Sequence, residues 1–426
     1  MASTTNTIMH YKKYETVSTT RQRVIGGVFL ALAILTYFIF TRDTTFDQVS
    51  TFVMTPGGIT QGKAGDWVVP SQLVLIIFTI MTALAAIYQL VRGFGKHTNK
   101  ILGLLLFVFV FDFLLWASAG KSLNLSGMLS ASVLLAVPVI LGSFSGILCE
   151  RAGVVNIAIE GMMLMAAMIG ALVGSVTGSV WIGLIAAMLS SMLLAYIHAV
   201  LSIKYKINQI ISGTVINIFS TGMTSFISSK FMQTYQELNN TPVFPRIPIP
   251  LLADIPVIGP LFFNSNLFVY LMYIILIVLQ VSLFRTRWGL RLRSVGEHPK
   301  AADTLGINVY QTRYMAVILG GLVAGIAGAF FTLGSVGRFD EIMTSGKGFI
   351  GLAAMIFGNW TPIGSFGAGL LFGFAEAIST KLTILGTGIP PQFMGMAPYI
   401  TTMVVLAGIV GRGQVPAADG VPYEKE

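Results

Sequence analysis

The chain has 426 residues, of which 54% are hydrophobic and 10% are charged, against about 25% charged residues in an ordinary soluble domain. This composition, without the residue alternation of a bacterial barrel, excludes a soluble globular protein and predicts an all-α, polytopic bundle of transmembrane helices. The net charge of +9 would suggest a nucleic-acid partner in a soluble protein, but Lys and Arg gather here at the ends of apolar runs, as the positive-inside rule expects. We therefore predict contact with membrane lipid and no nucleic-acid partner.

We predict that residues 1–23 form a cytoplasmic tail and that residues 24–120 contain accessory membrane helices. The first apolar run follows Arg21 and Arg23 as a signal sequence would, but no cleavage site of small residues comes after it, so we interpret it as a membrane helix. The apolar runs of this accessory region are residues 24–40, 68–91 and 101–119. The third contains Asp112, and an acid at that depth is expected to face protein or a water-filled path.

We predict that residues 121–411 form the core domain and that residues 412–426 form a polar C-terminal tail. The apolar runs of the core are residues 125–148, 157–173, 180–203, 210–231, 267–284, 314–334, 349–357, 363–378 and 393–410. The run at 349–357 is about half as long as a hydrocarbon core of roughly 30 Å requires, so we predict a half-spanning helix, interrupted at residues 358–362. Such an interruption indicates a midplane site in transporters. The whole chain predicts about ten to twelve membrane segments, broken ones included.

Residues 285–313, which we call the coupling segment, form a polar, arginine-rich stretch between two apolar runs. Pro299 suits the first position of a helix, and Gly306 suits the left-handed residue just past its end, so the spacing predicts a helix of about two turns between them. The predicted apolar face of this helix consists of Ala301, Ala302 and Leu305. A short helix at a membrane surface is suited to docking into a groove on another protein.

Several stretches of the core carry a family resemblance. They are residues 151–163 (RAGVVNIAIEGMM), 208–217 (NQIISGTVIN), 296–307 (GEHPKAADTLGI), 348–360 (GFIGLAAMIFGNW) and 416–423 (PAADGVPY). In this order they resemble the permease subunits of ABC importers, in the family of ribose, branched-chain amino acid and nucleoside permeases. The nucleoside branch fits best, and a sugar permease of the ribose type is the alternative within the family.

The resemblance implies a permease of the bacterial plasma membrane that works by alternating access. Its expected partners are an ABC ATPase subunit, an extracytoplasmic solute-binding protein, a second permease subunit that is identical or related, and a small polar solute such as a nucleoside. The residues expected to couple to the ATPase are Glu297, Pro299, Ala301, Ala302 and Gly306. No cofactor or metal is expected, and the single cysteine, Cys149, allows no intrachain disulfide.

The chain itself offers no credible nucleotide site, so we predict a transport subunit and not an enzyme. Residues 57–64 approach the pattern of a phosphate-binding loop, but Ala64 stands where Ser or Thr would hold Mg²⁺. A secondary transporter remains an alternative, with Asp112, Glu160 or Glu376 as the ion-coupling acid. A membrane-embedded enzyme is a further alternative, although catalytic spacings such as His-Glu-x-x-His do not occur.

Three groups of polar residues are candidates for the solute path. Asn156 and Glu160 stand four apart, which predicts one helix face; alternatively, Asn156 caps the helix and Glu160 either binds a buried donor or snorkels outward. The second group is a stripe of Gly213, Asn217, Thr221, Thr224 and Ser228, which could equally pack helices together. The third group is Asn359, Trp360 and Thr361 at the predicted helix break, where Trp360 could stack on a planar ring; alternatively, these residues form a turn anchored at the membrane interface. Glu376 and Lys381 are expected to pair with each other.

Overall fold

The computed structural model describes residues 19–57, 64–386 and 414–425, together with Phe393 and Met396. The chain divides into two compact units: residues 1–53 with 65–123, and residues 54–64 with 124–426. Ten helices in the described residues are long and apolar enough to cross a membrane. This confirms the predicted all-α polytopic bundle. The predicted run at 393–410 lies outside the described residues, apart from Phe393 and Met396.

The first unit contains three long helices and a short hairpin. Its elements are α1 (Thr19–Leu35, continued as a π-helical turn Thr36–Thr41), β1 (Val49–Val53), β2 (Trp67–Pro70), α2 (Ser71–Val91), α3 (Thr98–Ala117) and the boundary strand β3 (Ser122–Asn124). The strands β1 and β2 pair antiparallel, with Val49 opposite Pro70. Asp112 of α3 is buried, as expected of an acid in an apolar run.

The second unit holds the rest of the chain. Its helices are α4 (Leu125–Glu150), α5 (Ile159–Thr177), α6 (Val180–Ala199), α7 (Gln209–Ile227), α8 (Ile258–Phe262), α9 (Leu267–Arg285), α10 (Arg287–Glu297), α11 (Pro299–Thr304), α12 (Val309–Phe331), α13 (Lys347–Phe357) and α14 (Pro362–Leu385). Its two strands are β4 (Arg246–Pro248) and β5 (Asn264–Asn266), which pair antiparallel. The helices α4 and α12 are the most buried of the long helices in the described residues.

Glycines allow the buried helices to approach closely. A Cβ at Gly328 of α12 would lie 2.1 Å from the backbone oxygen of Met163 in α5. A Cβ at Gly373 of α14 would lie 2.4 Å from the backbone oxygen of Ser132 in α4. Small residues at such crossings bring helix backbones into contact, which is how membrane helices gain packing energy where burial from water supplies none.

The short helix α13 is the predicted half-spanning helix. It has 11 residues and is therefore about 16 Å long. It lies along the C-terminal half of α4, because Gly351 faces Gly142 and Met355 faces Gly146. The chain then turns at residues 358–361 and continues as α14. The break in the apolar pattern thus corresponds to a real helix end.

The coupling segment contains two helices where the sequence predicted one. The predicted helix is α11, and the additional helix is α10. Helix α10 is amphipathic, and its buried face comprises Gly289, Leu292, Val295 and Gly296. Its arginines masked this pattern, because they were interpreted only as basic flanks of a membrane span.

Candidate functional site

Each of the two helices in the coupling segment begins with a side-chain cap. The Thr286 hydroxyl accepts a hydrogen bond from the Gly289 amide at 3.2 Å at the start of α10. The His298 ring nitrogen Nδ1 accepts one from the Ala301 amide at 3.2 Å at the start of α11. Pro299 is the first helical residue, and Gly306 follows the helix with a φ of +80°, as predicted.

The residues of the predicted apolar face do not share one environment. Ala302 is 2% exposed and packs with Val295, Val309 and Tyr423. Ala301 is exposed, and Leu305 is 81% exposed. The expectation of a single face was wrong, because adjacent helical positions point about 100° apart and only one of them turns toward the protein.

The coupling segment is fixed directly to the end of α4. A Cβ at Gly296 would lie 2.3 Å from the backbone oxygen of Arg151, so the two backbones touch. The ring of Phe284 lies near two guanidinium groups, with the Arg293 carbon Cζ at 4.9 Å from its centroid and that of Arg151 at 5.8 Å. Such contacts between cations and an aromatic ring stabilise the arrangement modestly. Residues 285–297 are therefore positioned by α4 and α9.

Residues 414–425, which we call the C-terminal strap, lie against the coupling segment. The Ala418 amide donates a hydrogen bond to the backbone oxygen of Gly296 at 2.8 Å. The Ala417 amide donates one to the carboxylate of Glu297 at 3.2 Å. Glu297, predicted to touch an ATPase, thus also holds the strap.

The same strap reaches the break between α13 and α14. The Gln414 amide donates to the side-chain oxygen Oδ1 of Asn359 at 2.8 Å. At the other end of the strap, Tyr423 packs against Ala302 of α11 and its ring lies 5.3 Å from that of Tyr310. The strap therefore joins the coupling segment to the half-spanning helix.

A buried arginine anchors the middle of the strap. Arg313 of α12 is 1% exposed; its Nε donates to the backbone oxygen of Ala152 at 3.1 Å and its Nη1 to that of Val421 at 3.0 Å. Burial raises the pKa of Asp419 to about 6, although hydrogen bonds with the Glu150 carboxyl and the Gly420 amide and the charge of Arg313 act in the opposite direction. Charged groups are thus held at this junction with little water.

Asn359 and Trp360 form the break itself and lie in this junction. Both adopt the left-handed backbone conformation, with φ of +54° and +52°. Arg151 donates to the backbone oxygen of Trp360 at 2.9 Å, and the Trp360 indole donates to Glu150 at 2.6 Å. Trp360 is buried, and its indole N–H is bound to Glu150 at the end of α4. Their role as solute-path residues stays a prediction, and neither residue borders the two cavities between α4, α12 and α14.

Glu160 caps the beginning of the half-spanning helix. Its Oε1 accepts from the Thr344 hydroxyl at 2.7 Å and from the Gly346 amide at 2.8 Å, and its Oε2 accepts from the Gly348 amide at 2.7 Å. A carboxylate at this end of α13 also interacts favourably with the helix dipole. The alternative interpretation, in which Glu160 binds buried donors, matches these contacts.

Asn156 and Glu160 do not share a helix face, because α5 begins only at Ile159. Asn156 lies in the non-helical chain before it, fully buried, and its Oδ1 accepts from the Ala158 amide at 3.1 Å. The expected i, i+4 geometry was wrong, since the helix starts later than its apolar pattern suggested. Any role of Asn156 in solute passage stays a prediction.

The α7 residues of the predicted stripe divide between packing and exposure. Asn217 accepts from the Gly161 amide at 2.8 Å and donates to the backbone oxygen of Ile157 at 2.9 Å, so it fastens α7 to the start of α5. Thr224 is buried and donates to the backbone oxygen of Ser220 at 2.8 Å. Thr221 is exposed. The packing alternative accounts for Asn217 and Thr224, and the path role stays a prediction.

Two adjoining cavities lie elsewhere in the second unit, between α4, α12 and α14. One has a volume of about 440 Å³ and the other about 550 Å³, and both are bordered by Leu135, Phe330, Ser335 and Thr380. The smaller cavity also contains Lys347 and Glu376, which form an ion pair. The expected pairing of Glu376 with Lys381 was therefore wrong. Sequence reasoning missed this site, because Lys347 and Glu376 are 29 residues apart and no local pattern links them.

Comparisons with known proteins agree with the family resemblance. Residues 128–411 match the family described as branched-chain amino acid transport system / permease component. The chain is 41% identical to the guanosine ABC transporter permease protein NupQ of Bacillus subtilis, over 71% of this chain and 97% of that protein. It is 38% identical to the nucleoside ABC transporter permease protein NupC of Lactococcus lactis, over 68% and 93%.

A third relative is the putative glucose ABC transporter permease protein TsgC13 of Haloferax volcanii, 34% identical over 71% of this chain and 98% of that protein. No solved structure matches the chain. The family match covers most of the second unit, including the coupling segment and the half-spanning helix. The chain therefore belongs to the family of branched-chain amino acid transport system permease components, as a multi-pass permease subunit of an ABC importer in the bacterial plasma membrane.

Proposed function

We propose that this permease passes nucleosides into the cell, driven by a separate ATPase subunit. The observation that carries the proposal is the 41% identity to a guanosine permease along nearly the whole of that relative. The nucleoside permease of Lactococcus lactis supports the same solute class. A sugar is the second candidate, favoured by the similarity to the glucose permease of Haloferax volcanii.

The ATPase is proposed to bind the exposed side of α11. Ala301, Leu305 and Gly306 are exposed there, and the small Ala301 side chain allows a partner backbone to approach closely. The exposed side chain of Leu305 would remove apolar surface from water if it entered a hydrophobic groove of the partner. Ala302 faces the other way, so we assign it to holding α11 in place and not to the contact.

Force from the ATPase is proposed to reach the half-spanning helix through the C-terminal strap. The strap touches Glu297 and Ala302 in the coupling segment and Asn359 at the break. From that break, α13 extends to Lys347, which lines the smaller cavity. Displacing the coupling segment would therefore move one wall of the cavity, which is what alternating access requires.

The remaining partners are proposed from the same family. An extracytoplasmic binding protein delivers the solute, and a second permease subunit, identical or related, completes the membrane domain. ABC importers of this kind divide recognition between the external protein and the membrane path, so the membrane site needs only moderate affinity.

Uptake of tritiated guanosine tests the solute and the energy source together. The full importer would be expressed in cells without their own nucleoside uptake, with unlabelled nucleosides, ribose and glucose as competitors. We expect competition by nucleosides only, and loss of uptake when the ATPase subunit carries an inactivating substitution in its nucleotide site. Competition by glucose alone would support the sugar alternative, and uptake that survives loss of ATPase activity would overturn the ATP-driven mechanism.

A further inference from the structure

We propose that the cavity containing Lys347 and Glu376 is a solute site of the membrane domain, and that this ion pair binds the ribose hydroxyls of a ribonucleoside. The inference rests on the proposed function, because it assumes that the solute is a nucleoside. It goes further by naming the residues that contact the solute and the sugar they select.

The cavity has the size and composition of a small-molecule site. Its volume of about 440 Å³ falls in the range of roughly 300–1,000 Å³ that is typical of ligand pockets. Apolar walls from α4 and α12 combine with a few polar groups, including Ser335, Ser379 and Thr380. A mainly apolar pocket with a few convergent polar groups is the usual form of a binding site.

The ion pair supplies a donor and an acceptor side by side. The side chains of Lys347 and Glu376 are 13% and 26% exposed, so both are largely removed from solvent. A pair buried in this way contributes little net stability, because desolvation offsets the attraction between the charges. Two adjacent hydroxyls can donate to the carboxylate and accept from the ammonium group, and hydrogen bonds to charged groups are stronger than neutral ones.

The backbone around the pair fixes its position. Lys347 is the first residue of α13, whose preceding turn is held by Glu160 through the Gly346 and Gly348 amides. The Thr380 hydroxyl donates to the backbone oxygen of Glu376 at 3.0 Å, so it lies one turn along α14 on the same side. A ligand is bound more tightly by groups whose positions are already fixed.

An aromatic wall completes the site. Phe330 and Phe331 both border the cavity; Phe331 is only partly buried, Phe330 is buried, and the two rings meet at 6.0 Å and 70°. A planar base can stack on such a ring. The cavity therefore offers an aromatic surface for a base and a charged pair for a ribose.

The adjoining cavity provides an approach to this site. It is bordered by Asn264 and Asn266 of β5, by Arg246 of β4 and by Lys381 of α14. Arg246 and Lys381 add positive charge, so cationic solutes are disfavoured along the approach. Neutral nucleosides are not affected by this charge.

The comparison of guanosine with 2′-deoxyguanosine tests the ribose contact. Uptake of each tritiated nucleoside would be measured as kcat/KM for the full importer, with the same binding protein and ATPase in every case. We expect wild type to prefer guanosine about tenfold, as one lost charge-assisted hydrogen bond implies, and Glu376→Gln to bring the ratio near one. The control Glu341→Gln changes an exposed carboxylate outside these cavities and should keep the wild-type ratio.

Each result separates this inference from the proposed function. If wild type takes up neither nucleoside, the proposed function fails. If wild type takes up guanosine and the ratio is the same in wild type and Glu376→Gln, only the present inference is overturned. Should Glu376→Gln not reach the membrane, the double variant Lys347→Met with Glu376→Leu removes both charges and leaves neither buried without its partner. Its ratio then decides: a ratio near one supports the ribose contact, and the wild-type ratio overturns it.

The aromatic wall gives an independent check. Phe331→Leu removes the ring but no charge, so we expect uptake of both nucleosides to fall by a similar factor while their ratio stays at the wild-type value. A ratio shifted as strongly as in Glu376→Gln would contradict the assignment of the ribose to the ion pair.

Discussion

At the scale of single residues, Ala301 and Ala302 are neighbours with different tasks. Ala302 is buried against Tyr423 of the strap, and Ala301 is exposed on the side of α11 proposed to meet the ATPase. Enlarging either residue should impair transport, but for different physical reasons. The two substitutions therefore distinguish docking from internal packing.

We expect Ala301→Trp to abolish copurification of the ATPase subunit while the permease remains folded, because the bulky ring occupies the approach of the partner. Ala302→Trp should instead destabilise the permease itself, by about 1–3 kcal/mol, as overpacking of a close-packed site does. Thermal unfolding in detergent and copurification would be measured for both, with Ala301→Ser as the control. Normal copurification with Ala301→Trp would contradict the proposed docking side.

Asp419 gives the strap a pH dependence whose direction follows from its burial. Its pKa is about 6, above the ordinary 3.8, so the folded strap binds a proton more readily than the detached strap does. Attachment of the strap should therefore strengthen as the pH falls from about 7.5 to 5. The groups that face Asp419 are the guanidinium of Arg313 in α12 and the carboxyl of Glu150 in α4. The hydrogen bond and charge of Lys206 lower the pKa of the Glu424 carboxyl below its ordinary value of 4.5. Protonation of Glu424 therefore weakens the attachment only below about pH 4.5, outside this window.

Hydrogen exchange of the amides at 417–421, corrected for the intrinsic rate, measures this attachment. Protection should rise toward pH 5 in wild type, and Asp419→Asn should make it nearly independent of pH. Protection that decreases in acid would show that the buried carboxylate is stabilised in its charged form and would contradict the prediction.

At the scale of elements, the half-spanning helix depends on a residue from another helix. Three donors at the start of α13 converge on Glu160 of α5. We expect Glu160→Leu to lower the stability of the second unit by several kcal/mol, since each unsatisfied donor costs about 1–3 kcal/mol. Glu160→Gln, which keeps one acceptor oxygen, should have a smaller effect.

Thermal unfolding and gel-filtration profiles in detergent would measure this loss, with Glu341→Leu as an exposed control. An unfolding temperature for Glu160→Leu equal to that of the control would show that water satisfies these donors and that α13 needs no cap.

At the scale of the whole second unit, the strap connects elements that are far apart in sequence. It joins α11 to the α13–α14 break and crosses Arg313 on the way. We expect removal of residues 414–426 to leave a permease that inserts and still binds the ATPase but no longer couples it. ATP hydrolysis should then lose its stimulation by the loaded binding protein, and guanosine uptake should fall at least tenfold. Unchanged stimulation would show that the coupling segment moves the core without the strap.

Much of the architecture was predictable because it depends on local chemistry. The apolar runs predicted the long membrane helices, the short run before residue 358 predicted the half-spanning helix α13, and the Pro299 and Gly306 pair predicted α11. Helix α10 was missed, because Arg291 and Arg293 stand on either side of its buried Leu292 and hide the apolar spacing. The late start of α5 was also missed, since a buried non-helical segment can be as apolar as a helix.

The sequence by itself determined the class of the protein, its membrane helices and its coupling helix, because hydrophobic length, proline and glycine act on their immediate surroundings. Only the tertiary structure decided which polar residues meet: Glu160 with α13, the strap with α11, and Lys347 with Glu376 across the cavity. The physical reason is that a polar group in a membrane protein must find a partner wherever packing brings one. That choice is made by helix contacts between distant segments, on which the local residue pattern carries no information.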